Sequence, residues 1–159
     1  LFMFPGALIG AVLAPISGKV LDQIGARKPI TTGLILAALG LALLFVFLPT
    51  KSLALLLGAH IVLMLGLGIS YSNLMTCSLS TLATDQLSDG NALVNTLQQF
   101  IGAVATAVVA TTLSIFQGLN GFKVGTSHGT SIILALFFIL IIVSLIVSFP
   151  NLKKIRANH

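Results

Sequence analysis

The sequence predicts an all-α membrane protein built from five transmembrane helices. Three observations carry that expectation. The chain of 159 residues is 57% hydrophobic and only 7% charged, too little charge to cover the surface of a soluble domain. Its apolar residues fall in long blocks, each near the roughly 20 residues that cross about 30 Å of hydrocarbon. The breaks between blocks hold the turn residues and nearly all of the charge.

The expected spans are 2–20, 29–48, 53–72, 91–115 and 130–149, a bundle over residues 1–150 followed by a basic tail, 151–159. In the first, Pro5 and Pro15 predict bends, and Gly6 and Gly10 let a second helix approach,. A short polar loop, Asp22 to Lys28, leads to the second span. Pro49-Thr50-Lys51 is a tight connection with a helix-stopping proline,. After the third span, Thr76 to Gly90 reads as a longer polar segment holding Asp85 and Asp89. Ser88 or Asp89 is the expected cap of the fourth span, where a carboxylate also meets the positive end of the helix dipole,. The body of that span sets Gly102, Thr106 and Ala110 on one face and Ala103, Ala107 and Thr111 on a neighbouring one. Small residues four apart allow close helix approach in lipid. Gln117 to Gly129, with four glycines, reads as an exposed loop before the fifth span,.

The formal net charge is +5, from eight Lys and Arg against three acids. The cations sit in short loops and the tail, with few aromatic residues among them, which fits membrane topology and not a nucleic-acid partner,. Five spans put the first loop, the third loop and the tail on one side. That side holds Lys19, Arg27, Lys28, Lys153, Lys154 and Arg156, and the other holds Lys51 and Lys123. The richer side is expected in the cytoplasm, with the C-terminus. The single cysteine, Cys77, permits no internal disulfide and suggests no metal centre, and no cofactor is expected,. The chain opens at Leu1 inside an apolar run without a charged leader, unlike a signal peptide,. It is expected to be a fragment that starts within, or just before, a membrane helix.

The most specific stretch is Gly18-Lys19-Val20-Leu21-Asp22-Gln23-Ile24-Gly25-Ala26-Arg27-Lys28. Gly18 allows close helix contact, Gly25 permits a sharp turn, and Asp22 is placed to pair with a base or cap a neighbouring helix. Read blandly, it is an ordinary basic loop. It also resembles the loop signature of the major facilitator superfamily: a glycine, three residues, Asp, a base, one residue, Gly, one residue and two bases. Gly18, Asp22, Gly25, Arg27 and Lys28 match, and Gln23 departs where the family carries a base. Two further stretches, Phe4-Pro5-Gly6-Ala7 with Ala14-Pro15-Ile16-Ser17-Gly18, and Asp89 to Gln99, resemble the fourteen-span drug:proton antiporters of the EmrB/QacA type.

The resemblance implies the C-terminal half of such a transporter, in which five spans run from the one before the loop to the end. It implies export of small lipophilic compounds driven by proton entry, by two halves rocking about a central cavity. The expected partners are the lipid bilayer, the missing N-terminal half, the lipophilic substrate and the proton. The loop would act as a latch between halves, through Asp22 and Arg27.

Candidate transport-path residues are His60, Ser70 and Asn73 on the third span and Asn91, Asn95 and Gln98 on the fourth, with Thr106 further along. Each serves either a transported compound or an interhelical hydrogen bond, the latter worth about 0.6 kcal/mol. Phe100, Met64 and Leu67 either line a hydrophobic cavity or pack against lipid. No Asp or Glu falls inside a span, so His60 is the one expected intramembrane titratable group,. Two other classes compete. A small non-catalytic membrane protein would associate through its small-residue faces. An intramembrane enzyme would need Cys77, His60 and Asp85 to converge, and Cys77 and His60 are too far apart along one helix.

Overall fold

The computed structural model describes residues 27–80 and 82–157, with side chains described for 28–80 and 82–148. The first expected span, 2–20, with Pro5, Pro15, Gly6 and Gly10, lies outside the described residues, as do Gly18, Asp22 and Gly25. The described residues form an all-helical chain. Helix α1 spans Arg27–Phe47 and passes through a 3-10 turn, Leu48–Thr50, to α2, Leu53–Leu79. Helix α3 spans Leu87–Asn120 and α4 spans Phe122–Ala157. All four helices are long and apolar enough to cross a membrane. The chain divides into two compact units, one of Leu1–Cys77 with Ala135–His159 and one of Ser78–Leu134.

In the first unit α1 and α2 form an antiparallel hairpin. Pro29 sits in the first turn of α1, where its missing N–H costs nothing,. The connection is tight. Pro49 lies inside the 3-10 turn, and Lys51 takes the left-handed conformation at φ 53°. The Thr50 hydroxyl stabilises it by donating to the Phe47 carbonyl at 2.7 Å and accepting from the Ser52 N–H at 3.4 Å.

The hairpin is held by near-contact of its backbones. On α1, Ile30, Gly33, Ala37, Gly40 and Leu41 are buried; on α2, Ala59, Leu63, Gly66, Ser70 and Asn73 are buried. Both sets step by three and four residues, the seam of two helices crossing at a shallow angle. A Cβ at Gly40 would lie 2.5 Å from the Leu63 backbone nitrogen, and one at Gly33 would lie 2.8 Å from the Gly66 carbonyl oxygen. A Cβ at Gly66 would run into the Ala37 backbone. Glycine is therefore required here by space and not by backbone conformation. Dispersion across such close backbones is the main attraction available between helices in lipid.

In the second unit the chain between α2 and α3 is shorter than the polar stretch 76–90. Helix α2 continues through Leu79, and α3 resumes at Leu87. The reason lies in the polar side chains themselves. The Asn73 Nδ2 donates to the Ile69 carbonyl at 2.6 Å and the Thr76 hydroxyl to the Ser72 carbonyl at 3.0 Å. These residues satisfy themselves on the helix and do not end it. The expected cap is also corrected: Gln86 takes the N-cap position without a side-chain bond, and Ser88 and Asp89 lie inside the helix. Asp89 still meets the dipole from the first turn,.

The glycine-rich stretch 117–129 is not a loop. Only Gly121 interrupts the helices, at φ 77°. Gly125 and Gly129 are buried within α4, against the Phe116 backbone and Leu113 of α3. They are the close-approach residues of a second hairpin. Gln117 Nε2 donates to the Thr126 hydroxyl at 2.8 Å across that turn, and Thr126 donates to the Phe122 carbonyl at 2.5 Å. The stretch 151–159, expected as a tail, is helical through Ala157.

The glycine seam makes a direct prediction. Gly66→Ala should destabilise the chain by about 1–3 kcal/mol, the usual cost of overpacking. Gly58→Ala, with open space around its Cβ position, should be neutral or stabilising. Unfolding in a mixed-micelle denaturant titration measures both, and equal stabilities would rule out the backbone contact.

Candidate functional site

Helix α3 is two-faced, and this is the most informative arrangement in the chain. At 100° per residue, Asn91, Asn95, Gln98, Gly102, Thr106 and Ala110 fall within about one third of the helix circumference,. Leu93, Leu97, Phe100, Val104 and Val108 fall on the opposite side,. Among all its residues none is buried. The polar stripe is locally ordered: Asn95 Nδ2 donates to Asn91 Oδ1 at 3.2 Å, and the Thr106 hydroxyl donates to the Gly102 carbonyl at 2.8 Å. Gly102 has open space where a Cβ would stand. The stripe therefore offers amide and hydroxyl groups beside a flat, unfilled helix surface. The opposite face suits lipid, and Phe100, 66% exposed, belongs to it.

The third-span candidates are placed differently. Ser70 is buried, and its hydroxyl donates to the Ile30 carbonyl of α1 at 3.3 Å. Asn73 is fully buried in the same seam. Ser70 thereby ties α2 to α1, whereas Asn73 donates to the Ile69 carbonyl of its own helix. Ser70 also reaches the floor of a groove of about 420 Å³ lined by α1, α2 and the distal part of α4, and Leu67 and Tyr71 line the same groove. His60 and Met64 are half-buried on α2. The six polar candidates thus form two sets: His60, Ser70 and Asn73 on α2, and Asn91, Asn95 and Gln98 on α3.

Of the loop signature, Arg27 opens α1 and Lys28 is exposed in its first turn. The other members lie outside the described residues. Sequence reasoning missed His128. It was assigned to the glycine-rich loop, yet it stands exposed on α4, inside the candidate span Phe122–Ser148. His60 is therefore not the only histidine in a candidate span. The missed signal was spacing, since Gly125 and Gly129 stand four apart as helix-contact glycines do.

Among the described residues no group of three His, Cys, Asp or Glu side chains is placed to hold a metal ion. Cys77 and His60 share α2 but stand about 25 Å apart along its axis,.

Comparison with known proteins agrees with the membrane reading. Residues 1–107 match the family model described as Major Facilitator Superfamily. The chain is 32% identical over 117 residues to the lincomycin resistance protein LmrB of Listeria innocua, covering 74% of this chain and 25% of that protein. It is 32% identical over 110 residues to the multidrug resistance protein B homolog of Mycobacterium tuberculosis, covering 67% of this chain and 20% of that protein. It is 25% identical over 157 residues to the uncharacterized MFS-type transporter YcnB of Bacillus subtilis, covering 97% of this chain and 33% of that protein. No solved structure matches the chain significantly. The chain thus spans between a fifth and a third of the length of these relatives. With the family model matched over most of its length, and four helices able to span a bilayer, the chain belongs to the major facilitator superfamily, whose members are multi-pass membrane transporters.

Proposed function

We propose that this chain is the C-terminal part of a proton-coupled multidrug efflux pump that exports lipophilic compounds. The observation that carries the reading is the polar stripe of α3, Asn91 to Ala110, set opposite an apolar face. A helix of that kind, with no buried residue in this chain, is suited to separate lipid from a polar path shared with further helices. The relatives support the class of cargo: two of them are named for lincomycin resistance and for multidrug resistance. Their greater length supports a larger whole.

In this reading α3 lends its amide and hydroxyl groups to the transport path, while Ser70 and Asn73 are buried within the α1–α2 hairpin. The remaining helices come from the N-terminal part of the pump. Gly18, Asp22, Gly25, Arg27 and Lys28 form the loop that contacts that part and lets the two halves rock. Proton carriage falls mainly to carboxylates outside this chain. Within the described residues, Asp85 lies between α2 and α3 and Asp89 lies in the first turn of α3. Among the described residues, His60 and His128 are the histidines that lie within candidate spans.

The basic end of the chain, with Arg27, Lys28, Lys153, Lys154 and Arg156, faces the cytoplasm by the charge rule,. Single cysteines replacing Lys123 and Lys154 in a Cys77→Ser background should react with an impermeant thiol reagent from opposite sides. Labelling of both from outside the cell excludes this topology.

Asp22→Asn, made in a full-length transporter that contains this chain, should lower the efflux rate while membrane insertion stays normal. An unchanged rate at equal expression removes the latch assignment. The 159-residue chain by itself should not export. Reconstituted in liposomes under an imposed proton gradient, it should give no uncoupler-sensitive accumulation of a fluorescent lipophilic cation. Protein-dependent accumulation that an uncoupler abolishes would place coupling within this chain and make His60→Ala and His128→Ala the next variants.

A further inference from the structure

Glycine is the least favourable residue in a helix interior after proline, so each helical glycine asks for a reason. Gly33, Gly40, Gly66 and Gly125 have one: a Cβ at any of them would collide with a neighbouring helix. Gly121 has another, its positive φ of 77°. Gly102, in the body of α3, has neither. Its φ is not positive, and among the described residues nothing stands within 4 Å of a Cβ placed there. Gly58 shares the open space, but its neighbours one turn away are Ala54 and Val62. Gly102 instead stands between Gln98 and Thr106, each four residues off on the same face,. From Gln98 to Thr106 is about 12 Å of helix, with bare backbone at its centre.

One hydrogen bond sets the chemistry of this notch. The Thr106 hydroxyl donates to the Gly102 carbonyl at 2.8 Å. Its only proton is thereby committed, and what it presents outward is lone pairs. A hydroxyl in this state accepts from an N–H or O–H donor and has no proton to offer an acceptor. The same bond engages the Gly102 carbonyl, so the floor of the notch is apolar backbone. The site therefore joins a shallow, unfilled floor to an acceptor at one end.

We propose that Gly102 and Thr106 form a subsite for the exported compound, one that takes a flat ring system against the bare backbone and accepts a hydrogen bond from its N–H or O–H group at Thr106 Oγ. The inference rests on the efflux reading and deepens it, since it names the part of the cargo that α3 recognises. Two other occupants suit the position less well. A lipid tail brings no donor to the Thr106 oxygen and would lie beside the Gln98 amide, which hydrocarbon disfavours. A helix from elsewhere in a longer transporter would use the bare backbone, but its own N–H groups are already bonded within it. A ring that carries its own donor satisfies both the floor and the acceptor.

The test uses a full-length transporter that contains this chain, reconstituted in vesicles, with its cysteines, Cys77 among them, replaced by serine. Ala110→Cys, exposed one turn beyond Thr106, is the reporter. Its reaction with a maleimide is followed at neutral pH as dye is added. Ala103→Cys, also exposed, repeats the measurement should Ala110→Cys fail to reconstitute. The probes are acridine orange, a fused-ring cation with a ring N–H, and its ring-N-methylated analogue, which keeps the ring system and the charge without that donor. Acridine orange should protect the thiol at about five-fold lower concentration, the worth of one hydrogen bond to a neutral acceptor. Thr106→Val should abolish that difference, and Thr106→Ser should keep it. Gly102→Leu, which fills the notch, should raise the protecting concentration of both dyes at least about ten-fold. Gly102→Ala should leave the melting temperature equal or higher, where a glycine needed for packing would lower it. A thiol that does not react even without dye overturns the proposal, since lipid or a helix then covers the face. Equal protection by the two dyes overturns it, as does protection that Gly102→Leu leaves unchanged. Protection in the expected order by a protein that exports neither dye upholds the subsite and removes the efflux reading. Export of both dyes without protection removes the subsite and leaves the efflux reading intact.

Discussion

In hydrocarbon a backbone N–H or C=O has no water to turn to, and an unsatisfied group costs several kcal/mol. That constraint explains why polar residues in this chain behave as they do. Asn73, Thr76, Thr96, Thr106, Thr112 and Ser131 each donate to the carbonyl four residues earlier. In water such side chains compete with the helix and favour turns. Here they fold back onto it, and the helix continues. Among the described residues the backbone satisfies itself within four long helices, and two of the interruptions are very brief, the 3-10 turn at Pro49 and the single residue Gly121.

Once every helix satisfies itself, what remains to hold helices together is proximity. The α1–α2 seam achieves it with glycine at 33, 40 and 66 and alanine at 37 and 59. The α3–α4 turn achieves it with Gly125 and Gly129 and one side-chain hydrogen bond, Gln117 to Thr126. The stripe of α3 presents the same kind of surface at Gly102, but among the described residues nothing stands within 4 Å of a Cβ placed there. The same small-residue chemistry thus appears in two conditions, filled and open. The open instance is where the proposed function draws its support.

The all-helical, membrane-spanning character of the described residues was legible, because length and hydropathy decide it in a bilayer,. The α1–α2 turn was legible at Pro49. The stretches 76–90 and 117–129 were misread for one reason: Ser, Thr, Asn and Gly signal turns in water, and the membrane reverses that meaning. The Asn91, Asn95 and Gln98 set was legible as a helical stripe, because spacing alone places residues on a face. Ser70 and Asn73 satisfied the same spacing rule, but their burial, and the bond of Ser70 to Ile30, depend on which helix lies alongside, and no local pattern states that. The groove was illegible for the same reason, since its walls come from residues more than a hundred positions apart, Leu34 and Val147.

The brevity of the α1–α2 connection has an evolutionary corollary. Gly33, Ala37 and Gly40 meet Ser70, Gly66 and Leu63 in strict antiparallel order. Adding one residue inside α2 between Ala59 and Asn73 rotates everything beyond it by about 100° and carries half of that seam off its partner. A lineage bearing this hairpin can exchange side chains on its outer surfaces freely, yet it can hardly change the length of either helix along the seam. Insertions and deletions should accumulate instead in the segment between Leu79 and Leu87, where chain length sets no helical phase within the hairpin.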